Sequence, residues 1–200
     1  MSVRVGGYAA VLGGILWLTG FLIAQFNGSD DDGAGQWLAL AGTPVLLIAL
    51  TGLSAVQSRF HPRLVWAAFV VPALGALVSG LGLLGMVFTV DGMLADGVDS
   101  WALWAIGTIA LVAGSGIFAL ASWRSRVLSR PGLALLGAPL VGLVPVVVIS
   151  SGLAAVPWEP LVSIVFLALL LSFAFGWIVL GIDAVRRDRR NIATAIGAAP

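Results

Sequence analysis

The 200-residue chain has no cysteine, no lysine and a single histidine, and its long apolar runs contain no charged side chain. Each absence removes a class of chemistry. Without cysteine there is no disulfide, no thiol nucleophile and no thiolate-bound metal, and the redox compartment is left undetermined. Without lysine no retinal Schiff base can form. His61 alone is too few for a haem held by paired histidines, and a transition-metal site built on His or Cys is short of ligands. A proton relay needs titratable groups inside the membrane, and the apolar runs supply none. Charge is scarce throughout, at 10% with a net of +1, which offers nothing to a nucleic-acid partner. No cofactor is therefore expected. All ten basic residues are arginine, and with many Ala, Gly and Val this fits a high-GC prokaryotic genome.

What is present is apolar surface. At 60% hydrophobic residues and a mean hydropathy of +1.10, the chain has the composition of a multi-pass membrane protein. Its length suits one compact helical bundle without a separate soluble domain. The expected fold is all-α, a bundle of six transmembrane helices. The spans run over about 5–26, 37–57, 64–90, 101–122, 133–156 and 161–182, and a basic tail follows over 183–200. The first could be mistaken for a signal peptide, but no small-x-small cleavage site follows it, so it is read as an uncleaved helix.

The arginines alternate along the chain. Arg4, the second-to-third loop, the fourth-to-fifth loop and the tail hold all of them; the other three loops hold none and carry seven of the nine acids. By the positive-inside rule both termini face the cytoplasm of a cell membrane. Trp37, Trp101 and Trp158 then mark outer helix ends, and Trp66 and Trp123 inner ones, as an aromatic belt does. A weak threefold pattern accompanies this. Arg63, Ala67, Pro72 and Gly75 align with Arg130, Ala134, Pro139 and Gly142, as they would in three repeated helical hairpins. Belts and inner arginines recur in any hairpin bundle, so the pattern alone does not establish triplication.

The third span organises the rest. A helix over residues 64–90 is roughly 40 Å long, against a hydrocarbon core of about 30 Å, so it tilts or bends at Pro72. One face carries Ala68, Pro72, Gly75, Ser79, Gly82 and Met86 at steps of four and three, a seam of mostly small residues. In lipid such seams let helices approach closely and gain dispersion contacts. Gly107, Ala110 and Gly114 form a second seam on the fourth span, and Ala138 with Gly142 a third on the fifth. Pro139 and Pro145 interrupt the fifth span. They free the carbonyls of Leu135 and Val141, which neighbouring helices or hydroxyls must satisfy. This stretch is expected to bend and turn inward, with Ser150 and Ser151 supplying compensating hydroxyls.

The polar residues inside the spans are Thr19, Thr43, Thr51, Ser54, Ser79, Thr89, Thr108, Ser115, Ser150, Ser151, Ser163 and Ser172, with Gln25 and Gln57 near ends. Hydroxyls satisfy themselves on their own helix backbone, so most are read as structural. Gly114-Ser115-Gly116 superficially suggests an exposed serine nucleophile. His61 lies in a loop remote from it, and glycines on both sides more simply permit close packing. Asp30-Asp31-Asp32-Gly33 resembles part of a calcium loop, but counting from Gly33 as the sixth residue puts Gly28 first and Ala39 twelfth, and both fail. Arg186, Arg187, Arg189 and Arg190 follow the last span closely, where a basic cluster either anchors topology or contacts anionic headgroups.

Two function classes survive. The leading expectation is a non-catalytic accessory or scaffolding subunit, with the lipid bilayer, other membrane subunits or a second copy as partners. The alternative is a carrier or pore for a small neutral or lipidic substrate, using the proline-broken fifth span. A continuous hydroxyl-lined cavity favours the carrier; a dry, filled centre favours the scaffold.

Overall fold

The computed structural model describes residues 3–26, 33–58, 62–88, 93–95, 98–123, 128–150 and 159–197. It is nearly all helical: α1 (Val3–Phe26), α2 (Ala34–Gln57), α3 (Pro62–Phe88), α4 (Ser100–Trp123), α5 (Arg130–Ser150) and α6 (Glu159–Gly197). Five of these contain a stretch long and apolar enough to cross a membrane. The remaining one, α5, has 21 residues and would reach about 31 Å. The chain is thus an all-α protein with the helices of a multi-pass membrane protein.

Two features depart from the sequence reading. Between α3 and α4 a short antiparallel hairpin forms, β1 (Met93–Ala95) against β2 (Val98–Asp99), where a plain loop is expected. Asp99 then ends the hairpin and starts α4, its Oδ1 accepting from the Trp101 amide at 2.9 Å. Further on, α6 does not stop where charge begins. It runs unbroken through the arginines to Gly197, 39 residues in all. Hydropathy marks where a helix leaves the apolar zone, which is not where its backbone bonds end. Asp183 and Arg187 support that extension as an i,i+4 pair at 2.7 Å.

Each helix packs on the next in sequence, and α6 returns to pack on α1, so the six form a closed ring. Glycine sets the spacing. Gly6, Gly13 and Gly20 lie against Gly52, Leu46 and Ala39 of α2, and Gly42 lies against the Trp17 backbone. Their sequence neighbours Gly7 and Gly14 lie against Gly181 and Ala174 of α6. The two Gly-Gly pairs of α1 thus serve two neighbours, since adjacent residues on a helix point about 100° apart.

Among the described residues, large side chains fill the middle of the ring. Phe21 stacks on Trp17, and Trp17 meets Phe173 edge-on at 5.1 Å. Phe173 meets Trp177, and Trp177 stacks on Phe118 at 6.4 Å. This chain of five rings joins α1, α6 and α4 across the ring of helices. Each aromatic pair adds about 0.5–1.5 kcal/mol beyond the area it buries. Large apolar side chains on the outside, among them Val70, Leu74, Leu77, Leu81 and Leu84 of α3, are exposed as lipid-facing residues would be.

Candidate functional site

Four residues of the α3 seam, Pro72, Gly75, Ser79 and Gly82, lie in the α3–α4 interface. Ala68, Pro72, Gly75, Ser79 and Gly82 are all buried. A Cβ at Gly75 would land on the Leu111 amide, and one at Gly82 on the Trp104 amide. From the other side, a Cβ at Gly107 would strike Ser79 and one at Gly114 would strike Pro72. The two antiparallel helices thus interlock at four levels, glycine against backbone each time. Small residues do this because nothing but the missing side chain allows the backbones so close. Ser79 and Thr108 share a hydrogen bond at 3.1 Å within the same seam. Met86, last on that face, is half-buried and lines a cavity at the helix ends instead.

Gly114 and Gly116 divide the labour around Ser115. Gly114 faces Pro72 on α3, and Gly116 faces Leu140 on α5. Ser115 itself is fully buried with no hydrogen-bond partner. Among the described residues no side-chain base bonds to it, and His61 falls outside them. Asp30, Asp31 and Asp32 do as well. Among the described residues no three acidic or histidine side chains converge as metal ligands.

The fifth helix is continuous through both prolines. Pro139 is buried, and its missing amide leaves the carbonyl of Leu135 without its helical donor. Ser172 of α6 supplies the bond, Oγ to Leu135 O at 2.7 Å. One turn on, Gly176 sits against the Leu136 amide, so the backbones of α6 and α5 come close near this proline. The sequence reading assigns compensation to Ser150 and Ser151. The side chains of Pro145 and Ser150 lie outside the described residues, as does Ser151; at Leu135 the donor is Ser172. Of the seam expected on α5, Ala138 is exposed and is corrected, while Gly142 packs against the Leu169 side chain of α6. The buried stripe of α5 runs instead through Gly132, Leu133, Leu136 and Pro139, facing α6 and α4.

A polar cluster lies where α2 and α4 end. Gln57 and Ser122 are both fully buried, with Ser122 Oγ 2.7 Å from Gln57 Oε1 and 2.5 Å from the Phe118 carbonyl. One hydroxyl proton faces two acceptors, while Gln57 Nε2 has no partner. Turning the amide over lets Gln57 donate to Ser122 and Ser122 donate to Phe118, which satisfies the hydroxyl on both sides.

Three concavities stand out among the described residues. A cavity of about 190 Å³ opens between α1, α2, α3 and α4 at the end of the bundle near the hairpin, with Trp17 and Phe21 at its floor and Gln36, Trp101 and Trp104 around it. A lateral groove of about 630 Å³ between α2 and α3 is lined by Thr43, Pro44, Leu47, Leu77, Gly80 and Leu81. A notch of about 580 Å³ lies between the start of α5 and the charged part of α6, and takes in Arg130, Arg186 and Arg187. Of the tail arginines, Arg186 and Arg187 are exposed, and Arg187 is paired with Asp183. The side chains of Arg189 and Arg190 lie outside the described residues. On the other side of α6, Arg4 pairs with Asp188 at 2.5 Å and ties α1 to the helical extension.

Sequence reasoning missed the α1 glycine pairs and the Ser172 donor. The former carry a readable signal, Gly-Gly at a seven-residue interval. The latter does not, because only the packing register decides which hydroxyl meets Leu135. No protein-family model, curated protein or solved structure matches this chain.

Proposed function

We propose that this chain is a non-catalytic integral membrane protein, an accessory or scaffolding subunit of a membrane complex, with six helices crossing the cell membrane and both termini in the cytoplasm. The observation that carries the reading is the ring of helices with its middle filled by Phe21, Trp17, Phe173, Trp177 and Phe118. A path for a solute needs a lumen, and here large rings occupy its place. Interlocked glycines hold the helices close and leave little freedom for one to rock against another. What supports the orientation is the alternation of arginine-bearing and acidic loops. Three repeated hairpins remain part of the proposal, supported by Gly75 and Gly142, which both face the helix that follows.

The test is purification of the full chain in mild detergent, with identification of what comes with it. A stoichiometric membrane protein partner, lost on Gly75→Leu or Gly82→Leu, is the expected result. Reconstituted protein that passes small neutral solutes, with no partner recovered, would overturn the scaffold. Reporter fusions after Asp32, Arg63, Asp96 and Arg126 should alternate outside and inside; two successive sites on one side would end the six-span topology.

A second reading has one observation in its favour. The cavity beside Trp101 and Trp104 is open and partly polar, and α5 carries two prolines. A carrier for a small neutral or lipidic substrate would load there. It would then have to move the aromatic chain aside, and Pro139→Ala with Pro145→Ala would abolish flux without loss of assembly.

A further inference from the structure

The arginines after the last apolar turn do not stand alone. Gly132 seats the first turn of α5 on Leu180 of α6, so Arg130 comes beside Asp183, Arg186 and Arg187, which lie one to two turns further along. These side chains, far apart in sequence, line one notch. Arg187 is engaged by Asp183 at 2.7 Å. Arg130 and Arg186 are exposed and make no ion pair among the described residues. Among the described residues Arg130 and Arg186 thus bring uncompensated positive charge to a concave site.

The amides of α5 add little to that field. Ser129 caps its first turn, Oγ accepting from Gly132 and the carbonyl from Leu133, and Pro131 has no amide to give. An anion in the notch is therefore held by guanidinium forks, which match the oxygens of a phosphate in pairs. Pro131, Val179 and Ile182 line the remaining wall, on the apolar side. The notch thus straddles the step from apolar to charged along α6. A soluble phosphate would use only the charged half; a lipid uses both, with its phosphate on the arginines and its chains along Val179 and Ile182.

We propose that this notch is a binding site for an anionic phospholipid, with Arg130 and Arg186 holding the phosphate. The proposal rests on the membrane-spanning reading and goes beyond it by naming the ligand class and a residue, Arg130, outside the tail cluster. Basic pockets between helices at the cytoplasmic side recognise headgroups by this chemistry.

The full chain in detergent, titrated with phosphatidylglycerol or phosphatidylcholine and followed by native mass spectrometry, tests it. The parent should bind one phosphatidylglycerol in clear preference to phosphatidylcholine, which carries a compensating cation. Arg130→Gln or Arg186→Gln should each reduce that preference about fivefold, and the pair together about thirtyfold. Arg63→Gln removes the same charge from the exposed start of α3 and should change nothing. An equal loss with Arg63→Gln would overturn the site in favour of general surface charge. Displacement of phosphatidylglycerol by millimolar inorganic phosphate would overturn it in favour of a soluble anion. Equal binding of both lipids by the parent would overturn the site while leaving the membrane reading standing. A chain that stays dispersed without detergent and binds neither lipid would overturn the membrane reading itself.

Discussion

Ser172 Oγ lies 2.7 Å from the carbonyl oxygen of Leu135, the acceptor that Pro139 deprives of its amide. In lipid that oxygen has no water to turn to, so a proline in mid-helix creates a demand on its neighbours. Here α6 meets it, and Gly176 lets α6 come close enough to do so. Proline, hydroxyl and glycine on two helices form one unit. Interhelical bonds of this kind average about 0.6 kcal/mol and reach about 1.7. Ser172→Ala should therefore lower stability in detergent by roughly 1 kcal/mol. In a Pro139→Ala background the helix recovers its own donor to Leu135, and the same change should cost less than half as much. A double-mutant cycle on thermal unfolding measures this; equal costs in the two backgrounds would show that the bond does not serve the proline.

Alanine distinguishes the glycines that face backbone from those with room to spare. At Gly20, Gly82 and Gly107 an added Cβ falls under 3.0 Å from backbone of the facing helix, which no rotamer change can relieve. At Gly80 and Gly137 it would meet only a side-chain atom, at 3.8 Å or 3.9 Å. Gly82→Ala and Gly107→Ala should each destabilise by roughly 1–3 kcal/mol. Gly80→Ala and Gly137→Ala should be neutral, or stabilise by up to roughly 1 kcal/mol because alanine favours helix. Gly75→Leu and Gly82→Leu should be worse still, while Leu81→Ala and Leu84→Ala, on exposed positions, should change little. Melting of the purified variants in one detergent ranks them. A Gly80→Ala as damaging as Gly107→Ala would mean that the α3–α4 seam is not where the tight packing lies.

That seam was legible because Ala68, Pro72, Gly75, Ser79 and Gly82 repeat with the helical period in a run too long and apolar to be anything but a helix. The paired glycines of α1 were equally legible by spacing, Gly6-Gly7 and Gly13-Gly14, and only their division between two partners needed coordinates. Other features were not legible. Met93–Asp99 is too short and too rich in Asp and Gly to read as strands, and the hairpin depends on two helix ends being held near each other. Pro139 announces an orphaned carbonyl, but the identity of its donor is a matter of register between α5 and α6. Arg130 lies more than fifty residues from Arg186 in sequence, and only the contact of Gly132 with Leu180 puts both in one notch.

The pair of Gln57 and Ser122 permits a sharper test. Both are fully buried, on helices not consecutive in the ring, and each is the other's side-chain partner. Removing one member of such a pair strands the other's desolvated dipole, at about 1–3 kcal/mol, whereas removing both together can be close to neutral. Ser122→Ala takes from Gln57 its one described side-chain partner and should destabilise by roughly 2 kcal/mol. Gln57→Leu leaves Ser122 its bond to the Phe118 carbonyl at 2.5 Å, so it should cost less, under about 1 kcal/mol. The double variant should be more stable than Ser122→Ala alone, because the stranded amide is gone. The asymmetry follows from the number of partners: Ser122 has a backbone acceptor in reserve, and Gln57 has none among the described residues. Thermal unfolding of the four proteins in one detergent gives the cycle. If Gln57→Leu proves the more damaging single change, or the double variant is simply the sum of the two, the amide is satisfied elsewhere and the α2–α4 bond does not hold these helix ends together.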